Sequence, residues 1–372
     1  MKVNHLFFLC FITCLFSCKN TAKQTSVETQ TEDSVEVRIT EKQLPELVAE
    51  ELFLKGKEPF GEIIELKGKQ IIADTVIFKI MGAEGIIKDN KLFLKTSRNL
   101  LLFRLPDMVF EGFYGTWGNG PDEFNYPHIV PTPNDNSLLC YIFESTKEKM
   151  YKVSNDGNIT PYAFNINKSQ NTMFSSKFII NIAPDDFIYA DNSPTGKSIF
   201  RAQKVVDSLN NREVFNLALN PKRKSPFSYI GDFAANPAKN RMVYAYKYFK
   251  MLKFMDLEAQ TVKTINFERE EFNESTLYKV DGLDQNVTHY WGACAQEEHV
   301  YFLYSGRTPY DVVKECSKQN YYIYVEQYDW NGNPVNKFKL DKWGYFTVDE
   351  ANKKIYLMST YHDDPFFIYD LP

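Results

Sequence analysis

The sequence predicts an all-β fold, a six-bladed β-propeller of four-stranded blades whose ring is closed by an N-terminal strand joining the last blade. Three observations carry this expectation. Aromatic residues make up 15% of the chain, with 23 Tyr and 30 Phe against only 17 Gly and 17 Pro, and Tyr and Phe suit half-buried pleated strands. From about Gly61 onward, short apolar runs separated by turn residues form a loose four-strand repeat. The sixth repeat is one strand short, while an orphan strand stands before the first. A β-sandwich leaves both ends unexplained, whereas a closed ring completes one with the other and removes an exposed edge.

The elements follow in order. Lys2 precedes an apolar run over residues 6–16, which ends in Leu15-Phe16-Ser17-Cys18. A membrane-spanning helix needs about 20 apolar residues, so this run is too short to anchor the chain and reads as a secretory leader. Its ending resembles the lipobox of bacterial lipoproteins. That resemblance implies cleavage after residue 17 and acylation of Cys18. Residues 18–43 are rich in Thr, Gln, Glu, Ser and Lys, a composition that buries too little to fold and predicts a flexible tether. In the lead-in, residues 44–60, Leu44, Leu47, Val48 and Leu52 fall at helical spacing and predict a short helix ending near Gly56. The propeller then occupies 61–372, with 61–66 as the closing strand.

The units are read as follows. Unit one has strands at 85–87, 91–94, 100–103 and 109–112, and unit two at 129–130, 138–143, 149–152 and 160–164. Unit three has them at 178–180, 187–189, 199–201 and 214–215, and unit four at 229–230, 242–244, 252–254 and 262–267. Unit five shows 291–293, 300–303, 321–325 and 335–340, and unit six only 345–347, 354–358 and 366–370.

Charge and cysteine content narrow the partners. Without the leader, which holds one basic residue (Lys2), 42 basic residues face 48 acidic ones. That balance offers no basic footprint for nucleic acid and no polybasic patch for a membrane surface, so the lipid itself is the expected membrane contact. Cys10 and Cys14 leave with the leader and Cys18 carries lipid, so Cys140, Cys294 and Cys316 remain. Cys140, inside an apolar strand, reads as a small core residue. Cys294 and Cys316 are candidates for a disulfide in an oxidising compartment. The spacing matches no zinc pattern, and neither a metal nor a cofactor is expected.

Between units one and two stands Gly115-Thr116-Trp117-Gly118-Asn119-Gly120-Pro121-Asp122-Glu123-Phe124, followed by Pro127. This stretch resembles the G-x-G-P-x-E-[FY]-x-x-P signature of six-bladed propeller lipoproteins of the Bacteroidetes, a TolB-like and NHL-like group. Gly118 and Gly120 allow a tight turn, Pro121 stiffens it, Glu123 completes the motif and Phe124 can pack between blades. Asn119 departs from the pattern, where a small or basic residue is usual. The resemblance implies architecture more than a reaction.

Candidate chemistry is sparse. Residues 191–198 end like a phosphate-binding loop, but Asp191 stands in place of the first glycine and the flanks read strand–strand, so a β-turn is expected. His362-Asp363-Asp364 lies in the turn between the second and third strands of unit six, and His128 follows Pro127 where an inner strand begins. An insertion at 305–320 offers Thr308 as N-cap and Pro309 at the first helical position, predicting a short helix over one face. Corresponding turns in other units carry Arg98, Glu144, Lys147, His362 and Asp363. Together with Arg307 beside the insertion, these form a candidate polar rim for a small ligand or an envelope protein. Ser34, in Asp33-Ser34-Val35, resembles a Bacteroidetes O-glycosylation site. The leading expectation is a lipid-anchored binding module; the resemblance to bacterial lipoproteins, with the non-acidic Lys19 and Asn20 after Cys18, implies the periplasmic side of the outer membrane. The alternative is a carbohydrate-active or other envelope hydrolase or lyase using His128, His362 and nearby carboxylates.

Overall fold

In the computed structural model, which describes residues 50–55, 57–72, 84–96, 99–120, 123–164, 166, 178–205, 208–267 and 272–372, the chain builds six antiparallel sheets in sequence order. Three strands come first: β1 (Glu50–Phe53), β2 (Ile64–Leu66) and β3 (Lys69–Ile71). Blade 1 is β4 (Glu84–Lys88), β5 (Lys91–Lys95), β6 (Leu100–Arg104) and β7 (Val109–Tyr114). A short parallel pair, β8 (Thr116–Trp117) and β9 (Glu123–Phe124), leads to blade 2: β10 (Pro127–Val130), β11 (Leu138–Glu144), β12 (Lys149–Ser154) and β13 (Ile159–Tyr162). Blade 3 is β14 (Phe178–Ala183), β15 (Asp186–Ser193), β16 (Gly196–Val205) and β17 (Ser208–Asn216). Blade 4 is β18 (Gly231–Asn236), β19 (Arg241–Tyr246), β20 (Met251–Met255) and β21 (Thr261–Asn266). After a small hairpin, β22 (Lys279–Val280) and β23 (Leu283–Asp284), blade 5 is β24 (Thr288–Ala295), β25 (His299–Arg307), β26 (Ile323–Asp329) and β27 (Pro334–Leu340). Blade 6 is β28 (Gly344–Asp349), β29 (Lys354–Ser359) and β30 (Phe366–Asp370), completed by β3.

The apolar runs explain why the strands stack as a ring. Successive strand side chains point to opposite faces, and here both faces are covered by neighbouring blades. In blade 1, Leu92, Leu94, Leu101 and Phe103 pack on Tyr356, Met358 and Phe366 of blade 6, while Phe93, Leu100 and Leu102 pack on Leu139, Ile142 and Tyr151 of blade 2. Such strands read as continuous apolar segments, without polar alternation. Six buried clusters result, one at each junction between consecutive blades, including the junction of blade 6 with blade 1.

The N-terminal segment does more than the sequence predicted. Ring closure by an N-terminal strand holds, but the closing strand is β3, antiparallel to β30, and not residues 61–66. Those residues contain β2, which adds in parallel to β27 as a fifth strand of blade 5. The expected helix in the lead-in is corrected too: Glu50–Phe53 is β1, a parallel fifth strand on β21 of blade 4. Strands β1, β2 and β3 thus form a strap along the outer edges of three consecutive blades. Phe60 is buried between blades 4 and 5, edge-on to Tyr328 at 5.2 Å. In blade 4 the expected first strand, 229–230, gives way to a short 3-10 turn over Pro226–Tyr229, and the strand begins at Gly231. Cys18, Ser34, the leader, the tether, Arg98 and Pro121 lie outside the described residues.

Candidate functional site

In an antiparallel four-stranded blade, the start of the first strand and the turn between the second and third strands share one face. Glu144, Lys147, Arg307, His128, His362 and Asp363 therefore stand on the same face of the ring, as the sequence reading required. The structure does not gather them into one site, because most are occupied locally. Glu144 is fully buried and accepts the backbone N–H groups of Asn125 (3.0 Å), Tyr126 (3.1 Å) and Thr146 (3.1 Å). Lys147 donates to the carbonyls of Gly120 (2.5 Å) and Glu123 (2.6 Å). Both side chains hold the signature loop. In that loop Gly120 N–H donates to Glu123 Oε2 at 2.7 Å, and Gly118 has φ +154° and no room for a side chain, since a Cβ there would lie 2.1 Å from the same oxygen. Phe124 is buried between blades 1 and 2 and edge-on to Tyr151 at 5.0 Å, and Pro127 opens β10.

His128 has a defined partner. Its Nδ1 lies 3.2 Å from Glu84 Oε1, at the start of β4, and Glu84 also takes Lys95 Nζ at 3.1 Å and the Ile129 N–H at 3.2 Å. Burial raises the Glu84 pKa, but His128 and then Lys95 outweigh it and bring it down to about 2. His362 Nδ1 sits 2.7 Å from Ser359 Oγ, and its ring is edge-on to Tyr321 and Phe367. Burial, then Lys342, lowers its pKa.

The insertion in blade 5 is the expected helix, α1 (Pro309–Cys316). Thr308 accepts the Asp311 N–H at 3.0 Å, and Pro309 occupies the first turn. Arg307 fixes this insertion, pairing with Glu315 and donating to the Tyr322 carbonyl at 2.6 Å. Its guanidinium lies 3.8 Å from the Tyr322 ring centroid and 5.5 Å from that of Trp343. The Cys294–Cys316 pairing is corrected: both are free thiols. Cys294 stands near the far end of β24, against Thr347 and Val348 of blade 6, whereas Cys316 ends α1 at the opposite face. Cys140 is a buried core thiol, as expected. Residues 191–198 form the β15–β16 hairpin, also as expected.

The residues that do converge were not singled out in the sequence. Trp291 and Leu303 of blade 5, Trp343 in the connection to blade 6, Gly344 and Tyr345 at the start of β28, and Thr360 in the β29–β30 turn line a pocket of about 140 Å³. The indoles meet edge to face, 5.9 Å apart at 84°. Lys247 Nζ lies 4.5 Å from the Trp291 ring centroid. Beside it, burial pushes the Asp232 carboxyl up to about 7, with Lys247 pulling the other way. The Trp291 Nε1–H is buried with no hydrogen-bond partner among the described residues. The usable sequence signal was rarity: two of only four tryptophans in the chain meet here. A larger groove of about 400 Å³ lies between blades 1 and 2, lined by Tyr114, Phe124, Tyr151 and residues 156–159. Its one carboxylate, Asp156, is already bonded to Ser154 Oγ and to the Asn158 N–H. Among the described residues no cluster of His, Cys, Asp and Glu is placed to hold a metal ion, and no helix is long and apolar enough to cross a membrane.

Comparison with known proteins agrees with this architecture. A sequence model for a family described as TolB-like 6-blade propeller-like matches residues 75–351. No curated protein matches in sequence. A solved member of the DUF4221 family from Bacteroides vulgatus is 10% identical with a TM-score of 0.58, covering 84% of this chain and 98% of that one. A solved exported protein from Bacteroides fragilis is 11% identical with a TM-score of 0.51, covering 87% of this chain and 98% of its own.

Proposed function

The chain belongs to the TolB-like six-blade propeller family, and on that footing we propose that it is a ligand-binding module of the bacterial cell envelope, held by lipid on Cys18 at the periplasmic side of the outer membrane. A propeller hosts many activities, so the function has to be argued from the site. One observation supports binding: the pocket of Trp291, Trp343 and Tyr345 is concave, has aromatic side chains at three of its six lining positions, and opens on the face that bears α1. Apolar walls with a few polar groups are the usual make-up of a small-molecule site. The lipobox-like ending of the leader supports the anchor.

A thermal-shift screen of small metabolites tests this reading. A ligand at saturating concentration stabilises the folded state by mass action, about 2.7 kcal/mol at a hundred times its Kd. The reading expects at least one compound that raises the wild-type Tm by several degrees and leaves Trp343→Ala unmoved. Compounds that shift both proteins equally would overturn it. For the anchor, Cys18→Ala is expected to release the chain from the membrane fraction.

The second reading, an envelope hydrolase or lyase, is favoured by one geometry. An imidazole oriented by a carboxylate, as His128 is by Glu84, is the arrangement a general base requires. Turnover of a glycan or peptide panel that disappears in His128→Ala would replace the binding reading.

A further inference from the structure

We propose that the part of the strap on blades 4 and 5 is a charge-operated latch: when Glu58 loses its negative charge, β1 and β2 lift off the outer edges of those blades while the six blades stay folded. The inference does not depend on the ligand or the anchor proposed above.

The seat of the strap is electrostatic. Glu58 lies in the connection from β1 to β2 and reaches two lysines, Lys250 Nζ of blade 4 at 3.2 Å and Lys337 Nζ of blade 5 at 3.0 Å. Their side chains are only 4% and 3% exposed, and Lys337 also stands 3.1 Å from Glu326, which is wholly buried. Two ammonium groups thus face two carboxylates, one from the blade and one from the strap. Packed around them are neutral groups. Tyr290 and Tyr328 donate their hydroxyls to Glu326 at 3.4 Å, and His289, stacked on Tyr304, has its pKa lowered to about 3 by burial and then by Lys250. With Glu58 neutral, two buried ammonium groups share one carboxylate, and an uncompensated charge in a dry interior is costly. Lifting the strap withdraws Glu58 and Phe60, its own contacts to these lysines, and admits water to them.

The strap can come away alone. In β1 one residue of four is half-buried and in β2 two of three, the rest being exposed. Blades 4 and 5 hold four strands each without β1 and β2, whereas blade 6 needs β3. Segments with few buried contacts open below the free energy of global unfolding. Release therefore runs from β1 as far as Gly68, where Asp341 accepts the backbone N–H at 3.0 Å and holds the chain for β3. Opposing it are Phe60, buried between blades 4 and 5, and two outer ion pairs, Glu50–Lys263 at 3.3 Å and Glu65–Lys339 at 2.8 Å. The carboxylates of those pairs are exposed and screened by solvent, so they weigh less than Glu58.

Acid is the trigger. Burial raises the Glu58 pKa, but Lys337 and then Lys250 outweigh it and hold it below 4.5. Its charge, and with it the seat, is present above that value and lost as pH falls beneath it.

Hydrogen–deuterium exchange of the full chain, corrected for the intrinsic rate at each pH, tests the latch. At pH 7, Glu58→Gln imitates the protonated side chain and is expected to speed exchange of residues 50–66 by about tenfold or more. The central strands β19, β25 and β29 and the closing strand β3 should be unchanged. Wild type titrated down from pH 7 should open residues 50–66 at a higher pH than the blades, and this serves as the test by itself if Glu58→Gln does not fold. Glu58→Gln combined with Lys250→Met removes one charge of each sign and should restore wild-type exchange at pH 7. The latch is overturned if residues 50–66 and the blades speed up together, or if neither moves. A double variant that stays open also overturns it, by assigning the seat to hydrogen bonds and not to charge balance.

Discussion

Glu58, in the strap between β1 and β2, takes Lys250 Nζ at 3.2 Å and Lys337 Nζ at 3.0 Å, and both lysine side chains are nearly inaccessible. Lys337 also lies 3.1 Å from the fully buried Glu326. Burial raises the Glu58 pKa, but hydrogen bonding and attraction from Lys337, then Lys250, outweigh it and hold it below the ordinary carboxylate value. Breaking a buried pair strands an uncompensated charge at a cost of about 3–5 kcal/mol. Because the Glu58 side chain is 42% exposed, solvent screening reduces this, and Glu58→Gln is expected to cost about 2 kcal/mol in urea denaturation at pH 7. A depressed folded pKa gives stability that is present above the unfolded value of 4.5 and lost as pH falls below it. The gap between wild type and variant should therefore narrow on acidification; a gap that stays constant contradicts the pairing. Asp232 carries the opposite sign. Its folded pKa of about 7 exceeds the ordinary 3.8, so stability falls as pH rises between those values. Asp232→Asn should stabilise the protein at pH 8 and have little effect at pH 4, which paired denaturation curves would show. At this scale the sequence was a poor guide to the site. Polar residues in turns looked like a rim, yet Glu144, Lys147 and Arg307 satisfy buried backbone groups or fix a loop, a demand that sequence spacing does not display.

At the scale of elements, legibility followed the range of the forces involved. The α1 helix could be read because its cap is local: Thr308 bonds the Asp311 N–H and Pro309 fits the first turn. Thr308→Ala is accordingly expected to cost about 1 kcal/mol, seen as a lower urea midpoint. The blades were legible because strands buried on both faces leave unbroken apolar runs. The strap was not. Leu52, read at helical spacing, instead pairs in Glu50–Phe53 with β21, more than 200 residues later, and no local pattern reports such a partner; Leu44, Leu47 and Val48 lie outside the described residues. Likewise 61–66 and Lys69–Ile71 are both strand-like, and only tertiary pairing decides which one completes blade 6.

The described blades form a ring whose closing segment is held at Asp341. Its carboxylate accepts the Gly68 N–H at 3.0 Å, where the strap passes from β2 to β3, and the Tyr369 hydroxyl at 3.1 Å on β30. Asp341→Ala leaves two donors unpaired and is expected to cost about 2 kcal/mol. The loss should appear with earlier proteolytic cleavage near residues 67–72, and a variant as stable and as resistant as wild type would show that closure does not depend on this contact. With the ring closed, the first strands of blades 5 and 6 and the connection between them bring Trp291, Trp343 and Tyr345 together on the face that carries α1. The most direct test of the proposed function is a crystal structure of the full chain soaked with the compound that best raises its Tm. The expected result is ligand density between Trp291 and Trp343, in contact with Tyr345 and Thr360. Density in the groove beside Tyr114 and Tyr151, or against His128, would contradict it.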